Sequence, residues 1–161
     1  MKKIKTAVIG CGKVGHTLTE HLVSEGHDIT IIDTNERVIQ DAAELFDVMG
    51  IRGNGASLSV LEEAGVGKAD LVIAVTGSDE LNLLCCTVAH GINPRLHTIA
   101  RIRNPEYADQ VMTMPDVFPL SMTVNPEKQE ALEIERLLKY PGFLRRDTFA
   151  KGLVEIVELQ I

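Results

Sequence analysis

The architecture of this chain is set by residues 4–15, which read Ile4-Lys5-Thr6-Ala7-Val8-Ile9-Gly10-Cys11-Gly12-Lys13-Val14-Gly15. The first half is a nearly continuous apolar run, typical of a strand buried on both faces of a parallel sheet. The second half is a G-x-G-x-x-G pattern that opens a stretch of helical periodicity. In such a turn Gly10 permits the tight bend, Gly12 leaves space for a pyrophosphate, and Gly15 lets helix and strand pack closely. The stretch therefore predicts a phosphate-binding turn, with amides and a helix dipole facing the anion.

The alternation of short apolar runs and helix-period stretches continues along the chain. Further strands are predicted at Ile29–Asp33, Val48–Ile51, Leu71–Val75 and His97–Ile102, with a sixth at Val117-Phe118. Helices are predicted at Lys13–Glu25, Glu36–Phe46, Ser57–Ala64, Asp79–His90 (closed by Gly91), after Pro105, and at Pro126–Lys139. Right-handed crossovers then lead to an α/β fold, a doubly wound and mostly parallel Rossmann-type sheet in three layers, α/β/α.

The C-terminal residues depart from this alternation of strands and helices. Leu153–Ile161 has the pattern of a strand, yet no partner is evident in the helical stretch before it. It either pairs with another chain or belongs to a domain that follows, and we favour the second. The predicted organisation is a nucleotide-binding domain over residues 1–140, then a linker and the first strand of a truncated domain over residues 141–161.

Composition narrows the classes of function. The 161 residues carry a formal net charge of −7 and no Lys/Arg run, which argues against a nucleic-acid partner because phosphate neutralisation needs a basic surface. The three cysteines lack metal-ligand spacing and are expected to be small core residues, so no metal is predicted. No apolar stretch has the length of a signal peptide core or a membrane span. We expect a cytoplasmic protein without direct membrane insertion.

A carboxylate ends the second predicted strand. Asp33 is placed to accept hydrogen bonds from the adenosine ribose hydroxyls and to repel a 2′-phosphate, which favours NAD(H) over the phosphorylated dinucleotide. Arg37, one turn onward, slightly weakens that preference. The alternative role for Asp33 is that of a helix cap.

The ends of the other strands should line the same crevice, because ligands bind outside the carboxyl ends of parallel strands. This rule indicates Asn54-Gly55-Ala56 after the third strand, Thr76-Gly77-Ser78 after the fourth, and Arg101 near the end of the fifth. The small-residue loops leave room for adenine and ribose, and Arg101 could reach a phosphate. The alternative is that these segments are simply polar turns.

Nothing in the sequence indicates catalysis. The five histidines are scattered, and neither Tyr-x-x-x-Lys nor a nucleophile elbow occurs. Because a dehydrogenase needs a substrate site as well, a binding module is the better account. Two alternatives stay open: the NAD-binding half of a truncated oxidoreductase, and a redox-sensing transcription regulator, which would need a helix-turn-helix.

Four segments together resemble a known family. They are Gly10–Gly15, Ala69–Thr76, Asp79-Glu80-Leu81-Asn82 and Ala100–Tyr107. These look like the regulatory nucleotide-binding domains of bacterial Trk/Ktr potassium uptake systems, also called regulators of potassium conductance, and the resemblance runs from about Ile4 to Pro141. It implies a non-enzymatic regulatory subunit that forms dimers or rings on the cytoplasmic side of a membrane potassium pore and gates it on binding NAD(H) or ATP/ADP.

Carried over position by position, the resemblance implies a set of nucleotide contacts. They are Gly10, Cys11, Gly12, Lys13, Val14, Asp33, Gly55, Ala56, Thr76, Gly77, Ser78 and Arg101. The full predicted set of contacts adds Gly15, Asn54, Val75 and Glu127. Glu127 matches an acidic position that lies near the phosphates or an associated cation in related domains. Lys13 stands where ATP-binding relatives often carry Arg, so NAD(H), which we favour, and ATP/ADP both stay open. The helix Pro126–Lys139 would pack on a partner subunit.

Overall fold

The computed structural model describes residues 3–139, together with the backbone of residues 143–149 and 154–159. It divides into two units, Met1–Asn125 and Pro126–Ile161. The first unit is built on a six-stranded sheet whose strands are β1 Lys5–Ile9, β2 Asp28–Asp33, β3 Met49–Arg52, β4 Leu71–Ala74, β5 His97–Arg101 and β6 Met122–Val124. Their order across the sheet is β3-β2-β1-β4-β5-β6, and each neighbouring pair is parallel. The predicted doubly wound Rossmann-type sheet is confirmed.

Helices connect successive strands. They are α1 Lys13–Ser24, α2 Glu36–Phe46, α3 Leu58–Glu63, α4 Asp79–Ile92 and α5 Pro105–Thr113, with a 3₁₀ turn at Val66–Lys68. Local chemistry accounts for several of their starts. Asn35, Ser78 and Asn104 each accept a backbone N–H of the helix that follows, and proline occupies the first position of α5.

The helices cover both faces of the sheet. On one face, Val8, Ile31 and Ile73 pack with Ile39 of α2 and with the apolar side of α1. On the opposite face, the core includes Ala7, Ile9, Ile32, Leu61, Val72, Leu83, Cys85, Cys86, Ala89 and Val111. The alternation of β1 residues between the two clusters follows from the period of two in a strand. Cys85 and Cys86 are fully buried, as the sequence predicted for small core residues.

The predicted sixth strand at Val117-Phe118 is wrong. Both residues lie in a turn in which their amides donate to the carbonyl of Met114, and Phe118 packs against the core. The strand that joins the sheet is Met122–Val124, where Met122 pairs with Ile99. The apolar character of residues 117–118 therefore reflects side-chain packing rather than strand pairing.

The predicted end of α4 at Gly91 is also wrong. The helix runs through Gly91 to Ile92, and Asn93 follows in an extended conformation. Pro94 explains this boundary, since a residue before proline is disfavoured in the helical region.

The second unit begins with α6, Pro126–Lys139, whose predicted bounds are confirmed. It also contains β7, Phe143–Phe149, and β8, Val154–Leu159, which pair in an antiparallel ladder. The terminal strand predicted at Leu153–Ile161 therefore pairs with β7, in a segment where no strand was predicted, and not with another chain. The domain boundary after residue 140 stays a prediction. Across the described residues, helices fall short of the length and hydropathy needed to span a bilayer.

A buried carboxylate holds the loops after β4 and β5 together. Asp79 Oδ2 accepts the backbone amides of Arg103 and Asn104, both at 2.8 Å, and Asp79 Oδ1 accepts Nε of Arg103 at 3.3 Å. The same guanidinium donates from Nη2 to the Gly77 carbonyl at 2.5 Å. Burial acts to raise the pKa of Asp79, but the amides of Asn104 and Arg103 and the Arg103 guanidinium outweigh it, and the pKa lies below its ordinary value.

We expect the lowered pKa of Asp79 to contribute to stability above its unfolded pKa, about 3.9, and the contribution to vanish as pH falls through the folded pKa. Asp79→Asn should lower the free energy of unfolding at pH 7 by about 1–3 kcal/mol, because the charged contact to Arg103 is lost. Below about pH 4 the difference in the free energy of unfolding between Asp79→Asn and the native protein should narrow. Urea unfolding at a series of pH values from about 2.5 to 7, which bracket the ordinary pKa of an aspartate, measures both effects.

The matched control is Asp28→Asn, which removes an exposed ion pair with Lys3. It should change the free energy of unfolding by less than about 1 kcal/mol. A constant gap between Asp79→Asn and native protein across this pH range would contradict the role assigned to Asp79.

Candidate functional site

The glycine turn lies where β1 ends. Gly10 has φ +89°, in the left-handed region, and its amide donates to the Ile32 carbonyl at 2.8 Å. A Cβ at Gly15 would lie 1.9 Å from the Gly10 carbonyl oxygen, so any side chain there would force α1 away from the turn. The roles predicted for the first and third glycines are the ones their geometry requires.

Gly12 forms the N-cap of α1 and leaves the helix end open. It supplies no side chain to cap the helix, and a Cβ added to it would meet no atom within 4 Å. The first turn of α1 holds no acidic residue, whereas α2, α4 and α5 each have both a capping side chain and an acidic first turn. The amides of this first turn therefore lack a side-chain cap and lie at the positive end of the helix dipole, which suits a phosphate. Lys13, the first residue of α1, is exposed beside them.

Asp33, at the end of β2, forms a hydrogen bond to the backbone of the glycine turn. Its Oδ2 accepts the Cys11 amide at 2.8 Å, and its Oδ1 accepts the Asn35 amide at 2.9 Å. The cap of α2 is Asn35, which accepts the Arg37 amide. The helix-cap role considered for Asp33 therefore belongs to Asn35. Each carboxylate oxygen has further acceptor capacity, because an ionised carboxylate offers about four lone-pair sites.

The thiol of Cys11 is a packing group. The residue is buried among the apolar side chains of β1, β2 and α2. Burial raises the pKa of the Cys11 thiol, and the negative charge of Asp33 raises it further. The thiol therefore stays protonated near neutral pH, and the backbone amide is the group that Cys11 presents to Asp33.

The loop after β3 runs against the end of β1. Asn54 Oδ1 accepts the Ala56 amide at 2.9 Å, which closes a tight turn, and Gly55 is buried. A Cβ at Gly55 would lie 2.2 Å from Cγ2 of Ile9 and 3.3 Å from Sγ of Cys85. Burial raises the pKa of Cys85 to about 12, so this neighbouring thiol is also inert packing.

The loop after β4 approaches the same turn. Val75 is buried and its amide donates to Ile9, while a Cβ at Gly10 would lie 2.9 Å from both N and Cα of Thr76. Ser78 caps α4 by accepting the Leu81 amide at 3.2 Å. Arg101, at the end of β5, donates from Nη1 to the Thr76 carbonyl at 3.4 Å. The strand-end residues predicted from sequence in the first unit therefore share one edge of the sheet.

Two further residues, Glu127 and Gly77, were predicted as contacts. Glu127 lies on α6 in the second unit, and its place near a phosphate stays a prediction. Gly77 lies in the loop after β4, and a Cβ there would meet nothing within 4 Å. Its carbonyl accepts a hydrogen bond from the Arg103 guanidinium.

Sequence reasoning missed the role of Asn82. Its carboxamide is fully buried and contacts the backbone of both Thr76 and Arg101. The signal was present, because Asn82 lies on the buried stripe of α4 with Cys85, Cys86 and Ala89. A polar residue on a buried stripe requires hydrogen-bond partners, but a single sequence does not show which ones.

Comparison with known proteins identifies the family. The TrkA-N domain model matches residues 6–116. The Trk system potassium uptake protein TrkA of Vibrio alginolyticus is 36% identical over 159 residues, covering 98% of this chain and 35% of that protein. TrkA of Haemophilus influenzae is 38% identical over 157 residues, covering 96% and 34%. This chain thus spans about a third of the length of these curated relatives.

Solved structures share the fold. The TrkA-N domain of the inner membrane protein ybaL from Escherichia coli superposes with a TM-score of 0.73 at 21% identity, covering 85% of this chain and 98% of that one. GsuK bound to ADP gives a TM-score of 0.71 at 20% identity, covering 86% and 34%. The GsuK channel bound to NAD gives 0.65 at 19% identity, covering 76% and 21%. The match over residues 6–116 shows that this chain belongs to the TrkA-N domain family.

Proposed function

We propose that this chain is the nucleotide-sensing part of a regulatory subunit of a potassium uptake system. It binds NAD(H), or alternatively ATP or ADP, at the carboxyl edge of the sheet and changes the state of a membrane pore. The observation that carries the proposal is the open N-terminus of α1, with an uncapped first turn above the glycine bend. Such a helix end stabilises a phosphate through its free amides and its dipole.

The chemistry of the surrounding groups supports a nucleotide in particular. Asp33 provides acceptors for two ribose hydroxyls, Gly55 and Ala56 provide a side-chain-poor surface for the base, and Arg101 provides a cation. Two similarly folded structures carry NAD and ADP, the two ligand classes considered for this chain. We place the contacts at the glycine turn, Asp33, residues 54–56, residues 75–78 and Arg101, with Glu127 as a further candidate.

The proposed role is binding and not catalysis. The curated relatives are named for potassium uptake, a transport function. A ligand that favours one of two arrangements of the subunit shifts their populations by its difference in affinity. We therefore infer a partner in the membrane and a position of this chain on its cytoplasmic side.

The first prediction of the proposed function concerns Asp33. Asp33→Ala removes the acceptors proposed for the ribose and also releases the Cys11 amide, so affinity for NADH should fall by at least about tenfold, the equivalent of about 1.4 kcal/mol. Isothermal titration calorimetry with NADH, NAD, ATP and ADP measures this change. The reduced dinucleotide with a 2′-phosphate should bind native protein more weakly than NADH, and Asp33→Ala should narrow that difference.

The matched control is Asp70→Ala. Asp70 also holds a backbone amide, that of Lys5 at 2.9 Å, but at the amino end of β4. This variant should keep native affinity for NADH. Unchanged binding in Asp33→Ala would show that the ribose assignment is wrong.

The second prediction separates ligand space from protein packing. Gly12→Ala adds a methyl group that meets no protein atom within 4 Å, so the variant should fold with a cost of no more than about 1 kcal/mol at the helix cap. It should nevertheless weaken NADH binding by at least about tenfold, because the methyl group occupies the space proposed for the pyrophosphate. Calorimetry and urea unfolding measure the two quantities.

Gly91→Ala is the control for the second prediction, since a Cβ at Gly91 also meets nothing within 4 Å and the residue lies near the far end of α4. Its affinity for NADH should match the native value. Equal affinities for NADH in the native protein, Gly12→Ala and Gly91→Ala would show that the pyrophosphate does not bind beside Gly12.

The third prediction concerns assembly. On α6, Ile134, Leu137 and Leu138 are 58%, 58% and 76% exposed, an apolar surface suited to a second copy of the chain. Light scattering should show a dimer or a larger assembly, and Leu138→Glu should weaken association by at least about tenfold, because it buries a charge in the contact. Leu45→Glu, at a 65% exposed position of α2, should leave the mass unchanged. A native monomer would refute the assembly.

A further inference from the structure

The buried amide of Asn82 joins two strands at the edge that carries the proposed site. Its Oδ1 accepts the Thr76 amide at 2.8 Å and the Thr76 hydroxyl at 2.7 Å. Its Nδ2 donates to the Arg101 carbonyl at 2.9 Å and to the Thr76 carbonyl at 3.4 Å. Since Thr76 follows β4 and Arg101 ends β5, one side chain ties both loops.

The partners of Asn82 fix the orientation of its carboxamide. The Thr76 amide can only donate, so the atom beside it must be the oxygen, and the Arg101 carbonyl can only accept, so the atom beside it must be the nitrogen. The residue is 0% exposed, which excludes water as a substitute partner at its surface. A change of the amide must therefore move the loops or leave buried polar groups unpaired.

Arg101 depends on this amide in two ways. Asn82 holds the Arg101 backbone directly, through the carbonyl contact at 2.9 Å. It also holds the Thr76 carbonyl, the oxygen to which Arg101 Nη1 donates at 3.4 Å. The Arg101 backbone and one contact of its guanidinium thus both involve a group that Asn82 holds.

We propose that Asn82 is a positioning residue of the nucleotide site, which orients Arg101 toward the phosphates of the bound ligand. The inference rests on the proposed function, because it names what holds the cation of that same site. Asn82 itself lies beneath the loops and does not contact the ligand. Its effect on binding passes through Arg101.

The test begins with Asn82→Asp, which keeps the size of the side chain but replaces the donor nitrogen by an oxygen. Two carbonyl oxygens, those of Arg101 and Thr76, then face an acceptor and push the loops apart. Affinity for NADH and for ADP, measured by calorimetry on the 161-residue chain, should fall by at least about tenfold. Urea unfolding of each variant gives the stability lost alongside.

Asn93→Asp is a matched control on the other end of the same helix. Asn93 Nδ2 donates to the carbonyls of Ala69 and Val66, at 3.1 and 3.5 Å, and its Oδ1 accepts the Arg95 amide. The substitution therefore makes the same chemical error at the amino edge of the sheet. It should lower stability, yet change affinity by less than about twofold, because distant sites act independently.

A double-mutant cycle shows whether Asn82 acts through Arg101. Once Arg101→Ala has removed the guanidinium, Asn82→Asp should cause little further loss of affinity, so the fold-losses should not multiply. When Asn82→Asp is combined with Asp33→Ala, by contrast, the two fold-losses of affinity should multiply. If Asn82→Asp does not fold, Asn82→Ala, which deletes the amide without adding a charge, takes its place in both cycles.

The outcomes separate the two proposals. A native chain that binds none of NADH, NAD, ATP or ADP overturns the proposed function. A native chain that binds, with native affinity kept in the folded Asn82 variant, overturns the positioning role alone. Equal affinity losses in Asn82→Asp and Asn93→Asp, or losses that multiply with Arg101→Ala, also overturn it, because they indicate a purely structural amide.

Discussion

The close approach between Gly15 and the Gly10 carbonyl is the constraint on which the rest of the structure depends. A Cβ at Gly15 would lie 1.9 Å from that oxygen, so α1 can pack this near the end of β1 only because the side chain is absent. The approach brings the first turn of α1 over the glycine bend. It also sets the direction in which α1 leaves the sheet, and with it the packing of Val14, Leu18 and Leu22 on one face.

The same bend concentrates electrostatics at one edge. The uncapped end of α1 carries partial positive charge, and the carboxylate of Asp33 is held next to it by the amides of Cys11 and Asn35. A charge held by backbone amides keeps its position when solvent is displaced, since its hydrogen bonds are already made within the protein. Under the proposed function, the phosphate and the ribose hydroxyls would meet these groups without rearrangement of the turn.

The fold could be predicted from sequence to the extent that its signals are local. The run Ile4–Ile9, the three glycines and the helical periodicity after them specify the first βαβ unit within about 30 residues, and the strand-end rule then places Thr76 and Arg101 at one edge. Which segments pair as strands in the sheet is not specified by such local signals. Phe118 packs on the core while Met122–Val124 joins the sheet, and a short apolar run does not distinguish these two fates.

Buried polar side chains were the hardest part of the site to predict, because their partners are distant in sequence. Asp79 contacts residues 24 and 25 positions away, and Asn82 contacts Arg101, 19 positions away. Such groups remain buried only when they are paired, so they make the loops after β4 and β5 one rigid element. A rigid site changes little between bound and free states. Under the proposed function, the difference in affinity that drives gating must then come from contacts outside these loops, in other residues of the subunit or its partner.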